Sequence, residues 1–385
     1  MAIGKTLLVL GAGTGGLVAA SRLRKKLPHE HRVVLIDREP NYVFAPSFLW
    51  LMTGLRTREK ISRPLRNLKK KGVELVQGEI ERIDPERRTV QVNGQTFAGD
   101  YLLVALGADL EPMAIPGLAD AGYNLYTLAG GEALRDARLK LRKGRIVVLV
   151  SNIPFKCPAA PYEAAMLLEY DFRKRKVRDA ISIDLYTPEP GPMGVAGPEV
   201  SRQVREMVEA KGIGYHPEHA VTRVDPNARG IEFANGTIVE FDPLVYIPPH
   251  RAPRVVSEAG LTGESGWVPV DRETLETQFA GVYAIGDVTG IMLAMGKPLP
   301  KAGVFAHGEA EVVAANLIHA ITGKGKPVTF DGHGECFVET GDGKAGFGSG
   351  NFFAEPTPEV KLRQPSRSLH VGKVAFEKFW LFEWL

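Results

Sequence analysis

The start of the chain alternates short apolar runs with a helical pattern. Residues 7–10 and residues 33–36 are apolar runs typical of buried strands. Between them, apolar side chains recur at the spacing of one helix face, at Leu17, Ala20, Leu23 and Leu27. This order predicts a strand–helix–strand unit with a parallel sheet, and therefore a fold of the α/β class.

The turn between the first strand and the helix is rich in glycine and matches the pattern G-x-G-x-x-G. Gly11 permits the tight turn, Gly13 lets the backbone approach a pyrophosphate, and Gly16 lets the helix pack close to the strand. Free N–H groups at the start of the helix favour phosphate. Asp37 ends the second run and is placed to accept ribose hydroxyl groups. The unit predicts a dinucleotide site; the alternative is a glycine-rich turn in an ordinary α/β domain.

A loop crowded with aromatic residues follows at residues 38–50, with Pro46 before a new helix. It is either a packed surface loop or a wall against a flat ring. The strands predicted to continue the sheet are residues 73–80, 88–95 and 101–105. Gly107, just after the last of them, makes a turn where the backbone can approach a ligand.

Residues 144–150 resemble the first strand and open a second α/β unit. A second glycine-rich loop is expected after it, yet the next residues include three prolines, Phe155 and Lys156. Proline lacks the N–H donor that would hold a phosphate. The unit is therefore predicted to keep the layout of a nucleotide domain but to have lost a site for NAD(P)H. Its other predicted elements are a helix at 162–174, a strand at 181–186 and a helix at 200–211.

Residues 281–288 are predicted to form a strand that returns to the first domain and ends in Gly-Asp. The aspartate, Asp287, can hold the ribityl or phosphate part of a flavin at such a strand end. The sequence Pro-Lys-Ala-Gly at residues 300–303 starts a helix that is predicted to run to about residue 321. Its N-terminal dipole, together with the charge of Lys301, is placed to stabilise a developing flavin anion.

The C-terminal part of the chain has a different character. Residues 327–353 are strand-like and rich in glycine, and they carry Cys336. Five aromatic residues fall within the last ten positions, with Lys373 and Lys378 nearby. This composition indicates a segment that lies at a membrane interface or contacts a quinone. The alternative is a C-terminal helix that docks on the core or on a partner subunit.

Length, charge and cysteine count narrow the class of protein. The 385 residues carry a formal net charge of +3, so nothing in the chain demands a nucleic acid partner. Its two cysteines are too few for a secreted disulfide scaffold, and no His or Cys spacing suggests a metal site. No run is long and apolar enough to span a bilayer. The first strand begins almost at Met1, so we expect a cytoplasmic protein, with the periplasmic face open if a leader was removed.

Together, these motifs resemble the sulfide:quinone oxidoreductase and flavocytochrome c sulfide dehydrogenase family, and the resemblance covers essentially the whole chain. Their order is the glycine loop with Asp37, Phe-Ala-Pro-Ser at 44–47, Leu-Gly-Ala at 106–108, Cys157 in a proline-rich turn, Gly-Asp at 286–287, Pro-Lys-Ala-Gly at 300–303 and the late Cys336. Residues 154–163 are especially close to the flavoprotein subunit of flavocytochrome c sulfide dehydrogenase.

The resemblance implies two Rossmann-like dinucleotide-binding domains, bound FAD and a redox-active cysteine pair, Cys157 and Cys336. The residues that it implies for the cofactor site are Gly11, Gly13, Gly16, Asp37, Arg38, Pro46, Ile80, Ala105, Gly107, Gly286, Asp287, Lys301, Ala302 and Gly303. The expected domain boundaries are 1–110 and 241–325 for the two parts of the FAD-binding domain, 111–240 for the second domain with its degenerate NAD site, and 326–385 for the C-terminal segment.

Two departures from the family pattern bear on the electron acceptor. Most sulfide:quinone oxidoreductases carry three functional cysteines, whereas this chain has two, which matches the flavocytochrome side better. The aromatic tail, by contrast, resembles the membrane contact of a quinone reductase. The resemblance therefore implies peripheral membrane association and electron transfer to a quinone or to a cytochrome, and it leaves homo-oligomer formation open.

The resemblance also implies a mechanism. A disulfide between Cys157 and Cys336 is the expected electrophile for sulfide, whose attack gives a persulfide and a thiolate. Two electrons then pass through the flavin to the acceptor, and zero-valent sulfur leaves as polysulfide. Lys156 is expected to favour the thiolate of its neighbour, and Glu163 to move a proton. The alternatives are two buried, inert thiols and a carboxylate that merely suits a helix start.

Four functions compete at this point. The leading hypothesis is an enzyme of the sulfide:quinone oxidoreductase type, and the second is a sulfide dehydrogenase flavoprotein that hands electrons to a cytochrome subunit. A type II NADH:quinone oxidoreductase shares the fold but requires the nucleotide loop that residues 151–161 lack. The fourth is a non-catalytic flavin-binding subunit, which predicts that Cys157→Ala leaves the biological role untouched.

Overall fold

The computed structural model describes residues 4–385 and has two parallel sheets at its centre. The first sheet has five parallel strands in the spatial order Val282–Ala284, Tyr101–Val104, Thr6–Leu10, Arg32–Asp37 and Glu74–Gln77. Its central strand, Thr6–Leu10, is almost wholly buried because helices and loops cover both faces, as in other parallel sheets. The predicted α/β class, with strands from both ends of the chain in one sheet, is confirmed.

Two helices pack side by side against the first sheet. The first helix spans Thr14–Lys26, and the long helix spans Gly303–Thr322 and ends at Gly323, whose φ of +67° suits glycine. Both helices begin at the same end of the sheet: a Cβ atom on Gly303 would lie only 3.5 Å from the Thr14 hydroxyl, which shows that the two helix starts are adjacent. Two helix N-termini therefore point at one region.

The second domain repeats this plan. Its five parallel strands have the order Tyr123–Asn124, Leu244–Ile247, Gly144–Val150, Ile181–Tyr186 and Gly214–His216. Its helices are Leu128–Lys140, Ala160–Lys174 and Pro198–Glu209. The expected boundary at residue 240 is too early, because Leu244–Ile247 pairs with Gly144–Val150 inside this sheet.

Antiparallel strands decorate both domains. Ile80–Asp84, Thr89–Val92 and Gln95–Ala98 form a separate three-stranded sheet, as do Val221–Asp225, Gly230–Phe233 and Ile238–Glu240. The prediction that residues 73–80, 88–95 and 101–105 continue the parallel sheet is confirmed for Glu74–Gln77 and Tyr101–Val104. It is wrong for residues 88–95, since the strands there pair with each other. Two-stranded ladders join Asn41–Val43 to Ser62–Pro64, and Asp109–Leu110 to His250–Arg251.

Several short elements complete the two domains. One-turn helices lie at Phe48–Met52, Arg58–Ile61, Leu118–Ala121 and Arg254–Glu258. Turns of 3-10 helix lie at Ala45–Ser47, Leu65–Lys71, Pro112–Ala114, Arg178–Ala180, Gly194–Ala196 and Gly286–Val288.

The C-terminal segment forms its own sheet and helix. His333–Gly341, Lys344–Asn351 and Glu359–Ser366 make an antiparallel C-terminal sheet, which packs on the helix Ala160–Lys174 of the second domain. The C-terminal helix spans Arg367–Glu383, and the Ser366 hydroxyl caps its first turn by accepting from the Leu369 N–H.

The C-terminal helix has two different sides. Trp380 and Trp384 are buried, and the Trp380 ring lies 6.1 Å from the Phe44 ring. Phe379 and Phe382, by contrast, are 57% and 83% exposed. The expected alternative of a helix docked on the core is thus observed for one side, while membrane or quinone contact of the exposed side stays a prediction. Among residues 4–385, no helix is long and apolar enough to cross a membrane.

A buried ion pair fixes this helix to the loop after the first domain's second strand. The Glu377 carboxylate lies 2.7 Å from the Arg56 guanidinium and accepts a hydrogen bond of 2.5 Å from the Ser47 hydroxyl. The aromatic-rich loop at residues 38–50 is therefore packed under the C-terminal helix.

Truncating the buried indole of Trp380 tests how much this docking stabilises the fold. Trp380→Ala should lower the free energy of unfolding by about 3–5 kcal/mol, because it leaves a large cavity. Phe382→Ala, two residues further along the helix, should change it by less than about 0.5 kcal/mol, because that ring is exposed. Urea denaturation measures both values. Equal effects of the two substitutions would mean that the helix does not dock through its tryptophans.

Candidate active site

The glycine loop forms an open cradle at the start of the first helix. Gly11 has a φ of +92°, and a Cβ atom on Gly16 would lie 1.8 Å from the Gly11 carbonyl oxygen. A Cβ atom on Gly13 would meet nothing within 4 Å, so the backbone there faces open space. The first turn contains no acidic residue and no side-chain cap. Free N–H groups without a competing carboxylate fit the pyrophosphate of a dinucleotide.

The other residues implied for the cofactor lie around the same edge. The Asp37 carboxylate accepts hydrogen bonds from the N–H groups of Ala12, at 2.5 Å, and Glu39, at 2.8 Å, and is thereby held at its strand end. Gly107 has a φ of +68° and open space beside it. Ile80 and Ala105 are buried, whereas Arg38 and Pro46 are exposed. Gly286 lies in a 3-10 turn, and Ala302 and Gly303 lie at the start of the long helix.

Lys301 does not hold its charge where the sequence predicts it. Its ammonium donates hydrogen bonds to the carbonyl oxygens of Asp287, at 2.7 Å, and Thr289, at 3.0 Å, and lies 3.3 Å from the centre of the Trp267 ring. Burial lowers the pKa of Lys301 to about 8. The Lys301 ammonium is therefore bound to carbonyl oxygens and is not the free cation that was expected at the helix start. The first N–H groups of the long helix have no side-chain cap.

Asp287 lies beside two cations. Burial raises the pKa of its carboxyl group, and the positive charges of Lys156 and Lys301 oppose that rise. The charge of Lys156 therefore acts on Asp287.

Cys157 is held in a strained turn. Its φ of +53° lies in the left-handed region, which is unusual for a side chain of this kind. The Cys157 N–H donates to the Lys301 carbonyl oxygen at 2.7 Å, and the Cys157 carbonyl oxygen accepts from the Tyr126 hydroxyl at 3.2 Å. Hydrogen bonds to residues of both domains therefore maintain the strained backbone conformation of this turn. The cysteine is thus fixed beside the start of the long helix.

Cys336 reaches the same place from the C-terminal sheet. It lies within His333–Gly341, and its thiol donates to the Phe337 carbonyl oxygen at 3.3 Å. Both cysteines are free thiols and line one cavity of about 500 Å³. The walls of this cavity are mainly apolar, with Phe155, Met193, Val338, Phe352 and Leu362 among them. The structure therefore brings together two sulfur atoms that are 179 positions apart in sequence.

The surroundings of the two thiols favour the protonated form. Burial raises the pKa of Cys336 to about 12, and the Glu163 carboxylate adds to the rise. Burial likewise raises the pKa of Cys157, with Cys336 and Glu163 as further causes. The cation that opposes these shifts is Lys373, and Lys156 is not among their main causes.

Glu163 is buried and faces inward. Its side chain is 2% exposed, and its Oε1 atom accepts hydrogen bonds from the Glu339 N–H at 2.7 Å and the Lys373 ammonium at 2.9 Å. A carboxylate that served only the helix start would need no partner from the C-terminal sheet and helix. The geometry thus joins Glu163 to the thiols and to the end of the chain.

Three polar residues of this region escape the sequence-based prediction. Lys373, Glu339 and His370 are buried or half-buried and meet near Glu163. His370 and Lys373 are three positions apart, which puts them on one helix face. That spacing was the only signal in the sequence, because their partners lie on distant segments.

The turn of the second domain that corresponds to the glycine loop contains no glycine, and it lines the cavity that holds the two cysteines. Phe155 is buried in the turn after Gly144–Val150, and Pro161 occupies the first turn of the following helix. Glu189, just beyond the next strand, accepts a hydrogen bond of 2.9 Å from the Tyr162 hydroxyl, and burial raises its pKa to about 6. An apolar turn and an occupied carboxylate replace a phosphate cradle and a ribose acceptor.

Comparisons with known proteins agree with this geometry. The family described as pyridine nucleotide-disulphide oxidoreductase matches residues 5–310. A sulfide-quinone reductase of Aquifex aeolicus (strain VF5) is 28% identical to the chain, over 98% of this chain and 91% of that protein. The mitochondrial sulfide:quinone oxidoreductase of Mus musculus is 23% identical, over 91% of this chain and 79% of that protein.

A solved structure extends the similarity to three dimensions. The X-ray structure of the sulfide:quinone oxidoreductase from Aquifex aeolicus aligns with a TM-score of 0.89 at 27% sequence identity, covering 99% of this chain and 91% of that chain. The alignment therefore includes the C-terminal sheet and helix that carry Cys336 and Lys373.

Removing the cation that pairs with Glu163 tests the charge balance of the site. Lys373→Met should destabilise the fold by about 3–5 kcal/mol, because it leaves a buried carboxylate without a partner. Adding Glu163→Gln should recover most of that loss. Denaturant unfolding of the single and double variants measures both effects. The exposed pair Arg202–Glu199 is a control, where Arg202→Met should cost less than about 1 kcal/mol. Additive losses in the double variant would contradict the pairing.

Proposed function

This chain belongs to the pyridine nucleotide-disulphide oxidoreductase family, and on that premise we propose that it is an FAD-dependent enzyme. It oxidises sulfide through Cys157 and Cys336 and passes the electrons to a quinone. The observation that carries the proposal is the single apolar cavity into which two remote cysteines open, beside the start of the long helix. Similarity to sulfide-quinone reductases along nearly the whole chain supports it.

The residues of the first domain fit FAD. The glycine loop would hold the pyrophosphate at the start of the first helix, and Asp37 would meet the adenosine ribose. Asp287 and the uncapped start of the long helix would lie along the flavin half of the cofactor. When bound, FAD supplies a two-electron acceptor next to the cysteine turn.

Sulfide oxidation by this pair begins with the cysteines joined as a disulfide. H₂S attacks one sulfur atom, a new S–S bond forms and the cysteine–cysteine bond breaks, which leaves a persulfide on one cysteine and a thiol on the other. A second sulfide releases the zero-valent sulfur as H₂S₂ and restores a thiol. Reoxidation of the two thiols to the disulfide gives up two electrons and two protons, so atoms and charges balance.

Glu163 and Lys373 supply the acid–base chemistry of this cycle. Because burial raises the pKa of both thiols, a thiolate forms in the cavity only if a nearby base takes its proton. Glu163 is that base, since it is the carboxylate whose charge acts on both sulfur atoms. Lys373 holds the carboxylate by a hydrogen bond of 2.9 Å and partly offsets the cost of a thiolate beside it.

The proposed binding site of the electron acceptor lies on the other face of the strand that carries Cys336. Adjacent residues of a strand point to opposite faces, so Phe337 faces away from the cavity that Cys336 lines. The Phe337 ring lies 6.4 Å from the Phe376 ring, which in turn lies 6.0 Å from Phe44 and 5.8 Å from Trp380. Rings from the loop, the C-terminal sheet and the C-terminal helix suit a flat apolar acceptor such as a quinone.

A cytochrome acceptor is the second candidate. The count of two cysteines and the turn around Cys157 favour it, whereas the exposed Phe379 and Phe382 beside the ring cluster favour a membrane quinone. Steady-state turnover with sulfide and a short-chain quinone separates the two. Flavin bleaching without quinone turnover, followed by reoxidation with a haem protein, would select the cytochrome.

Replacing either cysteine tests the redox pair. Cys157→Ser and Cys336→Ser should each abolish bleaching of the flavin band by sulfide while the protein stays yellow, because a hydroxyl cannot form the disulfide. Anaerobic titration with sulfide, followed by NADH, measures this, and the wild-type protein should bleach with sulfide only. Wild-type rates in either variant would end the role of the pair. Rapid bleaching by NADH would instead favour an NADH:quinone oxidoreductase.

Replacing the exposed phenylalanines tests membrane contact. Phe379→Ser with Phe382→Ser should lower the fraction of protein that co-sediments with liposomes, because burying such a ring in a bilayer is favourable by about 1.5–3 kcal/mol. Flavin bleaching by sulfide should stay unchanged. Ile238→Ser, which changes an equally exposed side chain of the second domain, is the control. Unchanged partitioning of the double variant would mean that this helix side contacts protein or water.

A further inference from the structure

A series of buried charged side chains leads away from the two cysteines. The Glu163 carboxylate pairs with the Lys373 ammonium at 2.9 Å, and the charge of Glu339 also acts on that lysine. The Nδ1 atom of His370 lies 2.9 and 3.1 Å from the two carboxylate oxygens of Glu339. The Glu339 N–H donates to the Glu163 carboxylate at 2.7 Å, so the four residues form one row that reaches from the helix after the cysteine turn, through the C-terminal sheet, to the C-terminal helix.

Exposure changes along this row. The side chains of Glu163 and Glu339 are 2% and 1% exposed, whereas that of His370 is 26% exposed. His370 is thus the member that reaches the surface. The other groups that face the row are the Trp50 ring, whose centre lies 5.3 Å from the Lys373 ammonium, and the two thiols. Arg56 lies on the Trp50 ring but is paired with Glu377.

The lysine is shared by the two carboxylates. Although burial lowers the pKa of Lys373, Glu163 and Glu339 outweigh it and raise that pKa above its ordinary value. Burial raises the pKa of Glu339, and Lys373 and His370 only partly offset that rise. A carboxyl group that accepts a proton more readily than usual, between a lysine and a histidine, is suited to pass protons on.

The chemistry of the cavity requires such an outlet. Each disulfide formed from two thiols releases two protons along with the two electrons, and the cavity walls are mainly apolar. A flavin that takes up the two electrons also takes up one proton, so one proton per disulfide remains to be released. If that proton stayed on Glu163, no base would be left for the next thiol, so the proton needs groups that connect Glu163 to the surface.

We propose that Glu163, Lys373, Glu339 and His370 form a proton exit that connects the cysteine cavity to solvent. The thiol proton goes to Glu163. The proton then moves from Glu163 to Glu339, while Lys373 keeps its own proton and holds its charge beside both carboxylates. Glu339 then protonates His370 at Nδ1, and His370 releases a proton to water from Nε2.

This inference rests on the proposed function, because it is sulfide oxidation that releases the protons. It goes beyond that function by assigning Glu339 and His370, which touch neither thiol in the row, to proton transfer. A purely structural role for the pair predicts changes in stability without any change in the timing of proton release.

Stopped-flow mixing with a pH-indicator dye tests the proposal. Flavin-loaded protein in weak buffer is mixed anaerobically with limiting sulfide, so that the flavin band reports electrons and the dye reports protons. In the wild type the two signals should rise together. In His370→Gln and in Glu339→Gln the flavin should still bleach, and proton release should lag by about ten-fold or more. Free imidazole should shorten the lag in His370→Ala.

A matched histidine supplies the control. His216 also lies 2.9 Å from a carboxylate, that of Asp184, and its side chain is 34% exposed, but it belongs to the second sheet. His216→Gln should leave both signals synchronous. Synchronous signals in both His370→Gln and Glu339→Gln would overturn the proton exit and leave the proposed function intact. A wild-type protein whose flavin sulfide does not bleach would overturn both.

Discussion

The ion pair between Lys373 and Glu163 joins the two halves of the candidate active site. Its partners are 210 positions apart, one on the helix that follows the cysteine turn and the other on the C-terminal helix. An uncompensated buried charge is costly, so neither group is stable there without the other. Docking of the C-terminal segment therefore does two things at once: it delivers Cys336 to the cavity and balances the charge beside both thiols.

Around this pair, the proposed function assigns sulfur, electrons and protons to three different parts of the molecule. In that proposal, the apolar cavity that Cys157 and Cys336 line would receive sulfide and hold sulfur. The glycine loop and the start of the long helix would hold FAD. On the other face of the cysteine strand, aromatic rings would receive the second acceptor, and the buried carboxylates would carry protons to the surface. The three proposed paths use different side chains.

The sequence predicts those parts of the site that depend on local pattern. The glycine loop, the strand ending in Asp37 and the proline-rich turn at Cys157 follow from neighbours in the chain, and the resemblance supplied the cysteine pair. The orientation of Lys301 was missed because Trp267 and two carbonyl oxygens, rather than its own helix, draw the ammonium away. The pairing of residues 80–98 was missed because strand-like runs do not specify their partners.

The C-terminal helix docks on the core through one side and leaves aromatic rings exposed on the other. Trp380 and Trp384 face the core, and Phe379 and Phe382 face outward, because residues three to four apart share a side and their neighbours do not. The polar members of the same helix escaped prediction for a simpler reason. Their partners, Glu163 and Glu339, lie on segments that only the folded chain brings near.

One consequence of this arrangement concerns protein engineering. Investigators often shorten a greasy terminus to obtain material that behaves better in aqueous buffer. Here a cut before residue 367 would also discard Lys373 and strip Glu163 of its countercharge. A truncated protein would therefore expose fewer aromatic rings but would also disturb the site of the two cysteines. Replacing the outward-facing rings one by one is the safer route to a protein that is suited to aqueous buffer.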